Sequence, residues 1–419
     1  MIYMNHNPIG ILTCPGGAAF SERIIRELES TAEKNFWRKV NALAAKYSLP
    51  REEIVKRINL SIDLRHSTLN LEQPVDRFNT TSFSIPAIFT RFANGEFKTE
   101  ILTTVRNMDV YIIQDVENHH ALPFNARKDD LHVLSVNDHI FCLIATIDSA
   151  LQAGARKVTV VLPTYPYSRQ HEKKRREGLT AARFGQILEY LGVERIITLD
   201  IHSKEIENCF NRLRLENLYA SYQILKVLAT IIDLNTPELV IFSPDTGSVE
   251  RNKFYASSLH KPFGMMYKER DYSRISESAK QDNITSIRLL GSVEGKTVFM
   301  ADDMLGTGAT ILKALKTLKD LGAARIICAV SLPYFTGSAI QDFEEAYRAG
   351  LFYRFIGTNA IYHGTELLGR EWYLCADVAK LFAKSIYRLH FNRSLSPLMD
   401  NRKIIQDMLE KQQEAEEKK

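Results

Sequence analysis

The densest chemistry of the chain lies in Lys296-Thr-Val-Phe-Met-Ala-Asp302-Asp303-Met-Leu-Gly306-Thr307-Gly308-Ala309-Thr310. An apolar run ends in two carboxylates, crosses a turn of small residues and opens a helix. In open α/β sheets, ligands sit at the carboxyl ends of strands, where such a turn falls. Residues 307–310 would aim backbone N–H groups and hydroxyls at an anion, with the positive end of the helix behind them. Asp302 and Asp303 cannot bind that anion directly. They suit the vicinal hydroxyls of a sugar, or a cation bridging to it, so the constellation specifies a sugar phosphate. A bare acidic pair would read as an ordinary helix cap; the small-residue turn sets this one apart. Two other phosphate motifs fail. Gly295-Lys296-Thr297 has Leu290 where a Walker A loop needs Gly, and Gly306-Thr-Gly308 lacks the third Gly of a dinucleotide fingerprint.

Further runs add groups of complementary chemistry. In Arg91-Phe92-Ala-Asn94-Gly-Glu96 the ring can stack on a purine while the amide and carboxylate read its edge; a surface hairpin is the plainer reading. Leu162-Pro-Thr-Tyr-Pro-Tyr167-Ser-Arg169-Gln170 ends a strand with the guanidinium fork that a polyphosphate or an adenine edge requires. The following Lys173-Lys-Arg-Arg176 either adds phosphate contacts or is a solvated charge run. Leu199-Asp200-Ile-His202 and Ser243-Pro-Asp245-Thr-Gly247 end two more strands. Asp245 suits a metal or a ribose, or simply caps the strand end. Magnesium prefers oxygen, so chemistry alone gives His202 zinc or a hydrogen-bonding role. Tyr267-Lys268-Glu-Arg270 puts two cations ahead of a polar stretch, 271–287, long enough to act as a lid.

The elements that carry these runs repeat one pattern: helix end, Gly turn, basic residue, β-branched run. It occurs at 151–163, 191–200 and 321–330, with Gly154, Gly192 and Gly322 where a helix C-cap wants a left-handed residue. The apolar runs lack polar alternation, as strands buried on both faces do; 239–242 and 297–301 are two more. Helical patterns occupy 137–153, 180–191, 218–232 and 310–321. Strands alternating with such helices predict βαβ units and parallel sheets. Outside this scheme, 31–78 is polar and partly helical, with a start signal at 48–53, and 118–134 reads as a loop. Residues 403–419 form a charged helix or a frayed tail, with scaffold or contact roles expected for all three segments.

Taken together, these runs resemble the ribose-phosphate pyrophosphokinase (phosphoribosyl pyrophosphate, PRPP, synthetase) family from about residue 9 to 397. The 302–310 run is similar to the PRPP-binding motif shared with type I phosphoribosyltransferases. The match continues through 9–28, 335–340, 358–361 and 377–390. The resemblance implies an α/β fold of two phosphoribosyltransferase-type (PRTase type I-like) domains, with parallel sheets flanked by helices. They would span 1–215, with insertions at 31–78 and 118–134, and 216–378; 379–398 would return to the first domain, and 399–419 would be a charged tail.

The resemblance also implies roles. Asp302, Asp303, Gly306, Thr307, Gly308, Ala309 and Thr310 would hold ribose 5-phosphate, and Phe92, Asn94, Glu96, Arg169 and Gln170 would hold ATP. His202 and Asp245 would be Mg²⁺ sites, and Lys268 with Arg270 the catalytic cations on a mobile loop. Products would be PRPP and AMP, and the assembly a dimer-based homo-oligomer, up to a hexamer, with shared nucleotide sites. The chain departs from the family at Gly306, usually acidic, at His171 and Lys174, which replace acidic positions, and at Ser248, which replaces a second Gly. Two rival readings share parts of this pattern. A PRPP-consuming phosphoribosyltransferase has no use for 92–96, 169–170 and His202 together; a non-catalytic regulatory paralogue draws support from Gly306, His171 and Lys174, while the retained Lys268, Arg270 and His202 count against it.

Composition narrows the setting. With 54 Lys+Arg against 50 Asp+Glu, the net charge of +4 is no nucleic-acid signature and suits anionic small molecules. Five scattered cysteines without a CxxC read as reduced thiols of a cytoplasmic protein. No secretory signal is visible at 1–10, and no apolar run approaches the ~20 residues that span a membrane. The 419 residues suggest two to three domains, and setting aside 31–78, 118–134 and 399–419 leaves room for two.

Overall fold

A computed structural model describes residues 9–63, 83–270 and 284–416, except the side chains of 58–63, 267–270, 284–288 and 415–416. The chain enters through β1 (Ile9–Thr13), turns at Pro15–Gly17 and runs into α1 (Ala18–Tyr47), one unbroken helix of 30 residues. Ser48, left-handed at φ 55, stops it; α2 (Arg51–Asp63) restarts behind Pro50 with Glu52 and Glu53 in its first turn, as the 48–53 signal predicts. Residues 31–47 and 51–63 are thus helical, and 64–78 lie outside the described residues.

β2 (Ser84–Ile85) pairs with β1, and β3 (Ala87–Arg91) with β4 (Phe97–Ile101) forms an antiparallel hairpin. After β5 (Asp109–Ile113) comes a second hairpin, β6 (Ala121–Phe124) and β7 (Arg127–Val133), where a loop was expected over 118–134. Its turn is Asn125-Ala126, with φ 57 and 55, the two left-handed residues that match hairpin twist. Asn-Ala is a weak turn signal beside Asn-Gly, which is why the pattern is hidden. α3 (Val136–Gln152) starts in a capping box of Ser135 and Asp138. β8 (Lys157–Val161), α4 (Thr180–Leu191), β9 (Arg195–Leu199) and β10 (Arg214–Leu218) complete the first sheet, ordered β10-β9-β8-β5-β1-β2 and parallel throughout.

The expected boundary at 215/216 falls inside β10. The expected helix at 218–232 likewise begins later, as α5 (Ser221–Leu228), because Leu218 still pairs with Leu199. Then follow β11 (Leu239–Ser243), α6 (Val249–Leu259), β12 (Phe263–Arg270), β13 (Ile284–Leu290), β14 (Thr297–Leu305), α7 (Ala309–Asp320), β15 (Arg325–Pro333), α8 (Ala339–Arg348), β16 (Arg354–Thr358), α9 (Gly364–Leu368) and β17 (Tyr373–Ala376). The second sheet is ordered β13-β12-β11-β14-β15-β16-β17, and among its pairs only β12–β13 is antiparallel. Of the polar stretch expected at 271–287, residues 284–287 belong to β13, and 271–283 lie outside the described residues. Gly154, Gly192 and Gly322 all have φ between 84 and 97, the caps that the repeated pattern predicts.

One continuous apolar core joins the sheets, running from Ile11, Tyr111 and Leu199 through Ile224 to Ile241, Phe299 and Phe382. α10 (Ala379–His390) closes it by lying along α1: Phe20 meets Phe382 edge-on at 5.1 Å, and Arg23 pairs with Asp377 at 3.0 Å. After α11 (Ser396–Met399), the tail forms α12 (Arg402–Glu416). It buries Ile405 and Leu409, worth about 1.5–3 kcal/mol each. Its Gln412 accepts from the Leu234 N–H at 3.1 Å and donates to the Ala229 carbonyl at 3.1 Å. The tail is therefore a docked helix. Among the described residues, no helix is long and apolar enough to cross a membrane.

Candidate active site

The strand expected over 297–301 continues to Leu305, so Asp302 and Asp303 sit on β14 itself, just before its turn. Behind them, the first turn of α6 is locked to the strand by Asn252. Its amide donates to the carbonyls of Ser248 (2.8 Å) and Ala301 (2.7 Å), and its oxygen accepts from the Ala301 N–H (2.9 Å). That lock sets the Ser248 hydroxyl 2.7 Å from Asp302 Oδ1 and 3.0 Å from Asp245 Oδ1. Burial, then the neighbouring Asp303 charge, push Asp302 up to about 7. Near neutrality it therefore carries a proton part of the time, which relieves the crowding of three carboxylates.

The loop itself is shaped by Gly308, at φ 76, which caps α7. A Cβ there would stand 2.3 Å from the Phe343 ring, so both backbone and space require Gly. The first turn of α7 supplies N–H groups that have no partner within the helix. Beside it lies a cavity of about 250 Å³ lined by Arg169, Asp302, Thr336 and the 306–310 loop. At Gly306 a Cβ would be 3.4 Å from Arg169 Nη2. A carboxylate at this position would meet that guanidinium; with Gly, the guanidinium borders the cavity.

The first sheet sends its own groups across. Asp200, strained at φ 42 just past β9, cements the junction: it accepts from the Ala220 N–H (2.9 Å), Ser331 Oγ (2.6 Å) and Arg251 Nη1 (2.8 Å). Burial opposes the Arg251 charge, but Asp200 beside it holds the proton firmly. Two residues on, His202 Nδ1 lies 2.6 Å from Asp303 Oδ2. The hydrogen bond to Asp303 raises the imidazole above its ordinary value against the effect of burial. Burial pushes Asp303 up, yet His202 and Arg251 together hold it low. The His171 ring stands edge-on to His202 at 5.4 Å. Arg169 reaches Met304 Sδ with Nε (2.8 Å) and lies over the Tyr334 ring at 5.7 Å.

Arg169, His202, Asp245, Asp302, Asp303 and the 306–310 loop, all expected from the sequence, are gathered by the fold at the facing ends of two sheets. Gln170 is exposed beside Arg169, as are residues 173–176. Phe92, Asn94 and Glu96 stand apart on the tip of the β3–β4 hairpin, with Phe92 45% exposed. Among the described residues, no hydrogen bond, ion pair or ring contact joins that tip to Arg169 or the 302–310 loop. Lys268 and Arg270 fall in β12, and their side chains lie outside the described residues. Ser243 pairs with Met265, so β12 carries the Lys268 backbone past the carboxyl end of β11. Arg251, Asn252, Ser331 and Thr336 were missed; the only signal was Asn252 one helical turn after Ser248.

Mg²⁺ keeps several waters and needs only one or two carboxylates besides substrate phosphates. Asp245 and Asp303, the latter paired with His202, fit that demand. Among the described residues no set of three or more His, Cys, Asp or Glu is assembled as a full metal cage.

An acidic strand end and a small-residue loop at the carboxyl end of a mainly parallel sheet, met by a second, parallel sheet bearing cations, is the arrangement of a phosphoribosyltransferase-type α/β protein. The N-terminal domain of ribose phosphate pyrophosphokinase matches residues 67–192, and the phosphoribosyl transferase domain matches 213–347. Ribose-phosphate pyrophosphokinase A of Dictyostelium discoideum is 31% identical over 75% of this chain and 89% of its own. Ribose-phosphate pyrophosphokinase 2 of Schizosaccharomyces pombe is 31% identical over 74% of this chain and 87% of its own. The phosphoribosylpyrophosphate synthetase of Mycobacterium smegmatis has the same fold, with a TM-score of 0.65 at 21% identity, over 92% of this chain and 99% of that one. The chain belongs to the ribose-phosphate pyrophosphokinase family.

Proposed function

We propose that the protein transfers the β,γ-diphosphoryl group of ATP to the C1 hydroxyl of ribose 5-phosphate, forming PRPP and AMP. The observation that carries this reading is the convergence of Arg169 and His202, from the first sheet, on the 302–310 loop of the second. A protein that only bound a ribose phosphate would need the loop alone. In the proposed site the first turn of α7 and Thr307 to Thr310 hold the 5-phosphate, and Asp302 and Asp303 hold the ribose hydroxyls. Arg169, with Gln170, binds the polyphosphate, and Phe92, Asn94 and Glu96 bind the adenine. Lys268 and Arg270 stabilise charge on the transferring group and on the departing AMP once water is excluded. Asp245 and the His202–Asp303 pair would hold Mg²⁺, which when bound would supply charge neutralisation and a more acidic C1 hydroxyl.

The separation of the 92–96 tip from the loop supports a dimer-based homo-oligomer in which one protomer completes its neighbour's nucleotide site. Five free, scattered cysteines support residence in the cytoplasm.

Incubation with ATP, ribose 5-phosphate and Mg²⁺, followed by chromatography, should yield AMP and PRPP in equal amounts. Gly306 beside Arg169 favours a second reading, a non-catalytic partner of an active synthetase. Intact nucleotide binding without AMP release would decide for it.

A further inference from the structure

The β6–β7 hairpin, which stands in the 118–134 insertion, has a specific mechanical target. The open edge of β3 turns Phe89 and Arg91 away from β4, since alternate residues of a strand point their backbone groups the same way. The β6–β7 turn covers that edge. The Asn125 N–H donates to the Phe89 carbonyl at 2.9 Å. The Asn125 side chain then imitates a peptide group: its Oδ1 accepts from the Arg91 N–H at 3.1 Å, and its Nδ2 donates to the Arg91 carbonyl at 3.3 Å. The second amide hydrogen goes to Asp130 Oδ2 at 2.5 Å, which fixes the amide orientation. Asp130 Oδ1 holds His132 Nε2 at 2.8 Å, and His132 Nδ1 lies 3.4 Å from Arg91 Nη1. Beneath this ring, Leu122, Phe124 and Leu134 pack on Phe89 and Phe97.

Arg91 is the last residue before the 92–96 tip. Among the described residues, the hydrogen bonds of the tip are those of its own turn: Phe92 N–H to Glu96 carbonyl (2.9 Å), Gly95 N–H to Phe92 carbonyl (2.9 Å) and Glu96 N–H to Asn94 Oδ1 (3.2 Å). The ribbon's other edge rests on α3, where Thr99 Oγ1 lies 3.0 Å from Thr146 Oγ1 and the Ser149 hydroxyl donates to the Thr99 carbonyl at 3.0 Å. Asn125 braces the open edge at the position next to the tip, where β4 offers no hold.

We infer that Asn125 is a positioning residue for nucleotide recognition: it pins Arg91 so that Phe92, Asn94 and Glu96 meet the purine of ATP in one orientation. This inference rests on the proposed placement of the 92–96 tip in the nucleotide site. Ordering the tip before binding removes an entropic cost from nucleotide association and leaves the phosphoryl-transfer step untouched.

Asn125→Gly in the full chain is the direct test, because Gly keeps the left-handed turn and deletes only the amide. KM for ATP should rise about five- to twentyfold and the preference for ATP over GTP should shrink, while kcat and KM for ribose 5-phosphate stay within about twofold. Phe92→Ala should also raise KM for ATP, and adding Asn125→Gly to it should change KM by less than about twofold. If Phe92→Ala raises KM and Asn125→Gly does not, the brace is overturned and the tip remains in the nucleotide site. If neither raises it, the placement of the tip falls and takes the brace with it. Should Asn125→Gly fail to fold, Asp130→Ala decides: it frees the amide, and an unchanged KM for ATP would overturn the inference.

Discussion

His202, in the loop after the first sheet's β9, and Asp303, on the second sheet's β14, meet at 2.6 Å although they stand 101 residues apart. The pair is the shortest bridge between the carboxylates of the proposed ribose site and the loops of the first sheet. It also explains why the two groups shift in opposite directions: each stabilises the charged form of the other.

Removing the imidazole therefore does two things, loosening Asp303 and deleting a positive charge beside the proposed metal. His202→Ala should raise the Mg²⁺ concentration needed for half-maximal activity by about 10–100-fold, the usual scale for losing a partner of a metal-binding carboxylate. A Mg²⁺ titration of the AMP-release assay reads this out. An unchanged midpoint would separate His202 from the metal.

Lys268→Ala should lower kcat by about 10²–10³-fold, the scale of losing one donor to developing charge, with KM for ribose 5-phosphate within about twofold. Steady-state kinetics against each substrate separate the two effects. An unaltered kcat removes Lys268 from the mechanism.

The elevated Asp302, at about 7, gives two pH effects of defined sign. The folded state holds a proton there that the unfolded chain releases near pH 4, so this carboxyl's contribution to stability falls as pH rises from about 4 to 7. The slope is at most ~1.4 kcal/mol per pH unit. Urea unfolding at pH 5 and 8 should show this slope in the natural protein and a smaller one in Asp302→Asn. Ligands that need the carboxylate should bind in the other sense, with ribose 5-phosphate affinity rising from pH 6 to 8 and levelling above.

Gly308→Ala should cost about 2–4 kcal/mol, from a left-handed alanine and the clash with Phe343. The variant should also bind ribose 5-phosphate more weakly, since the loop must move to admit the methyl group. Urea unfolding and calorimetric titration check the two parts, and a stable variant with native affinity would show that the loop is slack.

Much of this organisation was legible because its causes are local. A left-handed cap at Gly192 needs only Gly after a helix, and a buried strand such as Leu239–Ser243 needs only an unbroken apolar run. The acidic end of β14 and its small-residue turn are likewise contiguous. The β6–β7 hairpin was not legible, because Leu122 and Phe124 alternate too briefly and their turn lacks Gly.

The alternating architecture, the positions of the strand ends and the chemical groups placed there follow from the residue order alone, since these depend on neighbours within a few residues. Long-range packing alone sets which ends face each other. It put His202 on Asp303, Asp200 on Arg251 and Ser331, Ser248 between Asp245 and Asp302, and Asn125 on Arg91. Those pairings depend on how two sheets and an inserted hairpin settle on a shared core, and no short-range pattern records that.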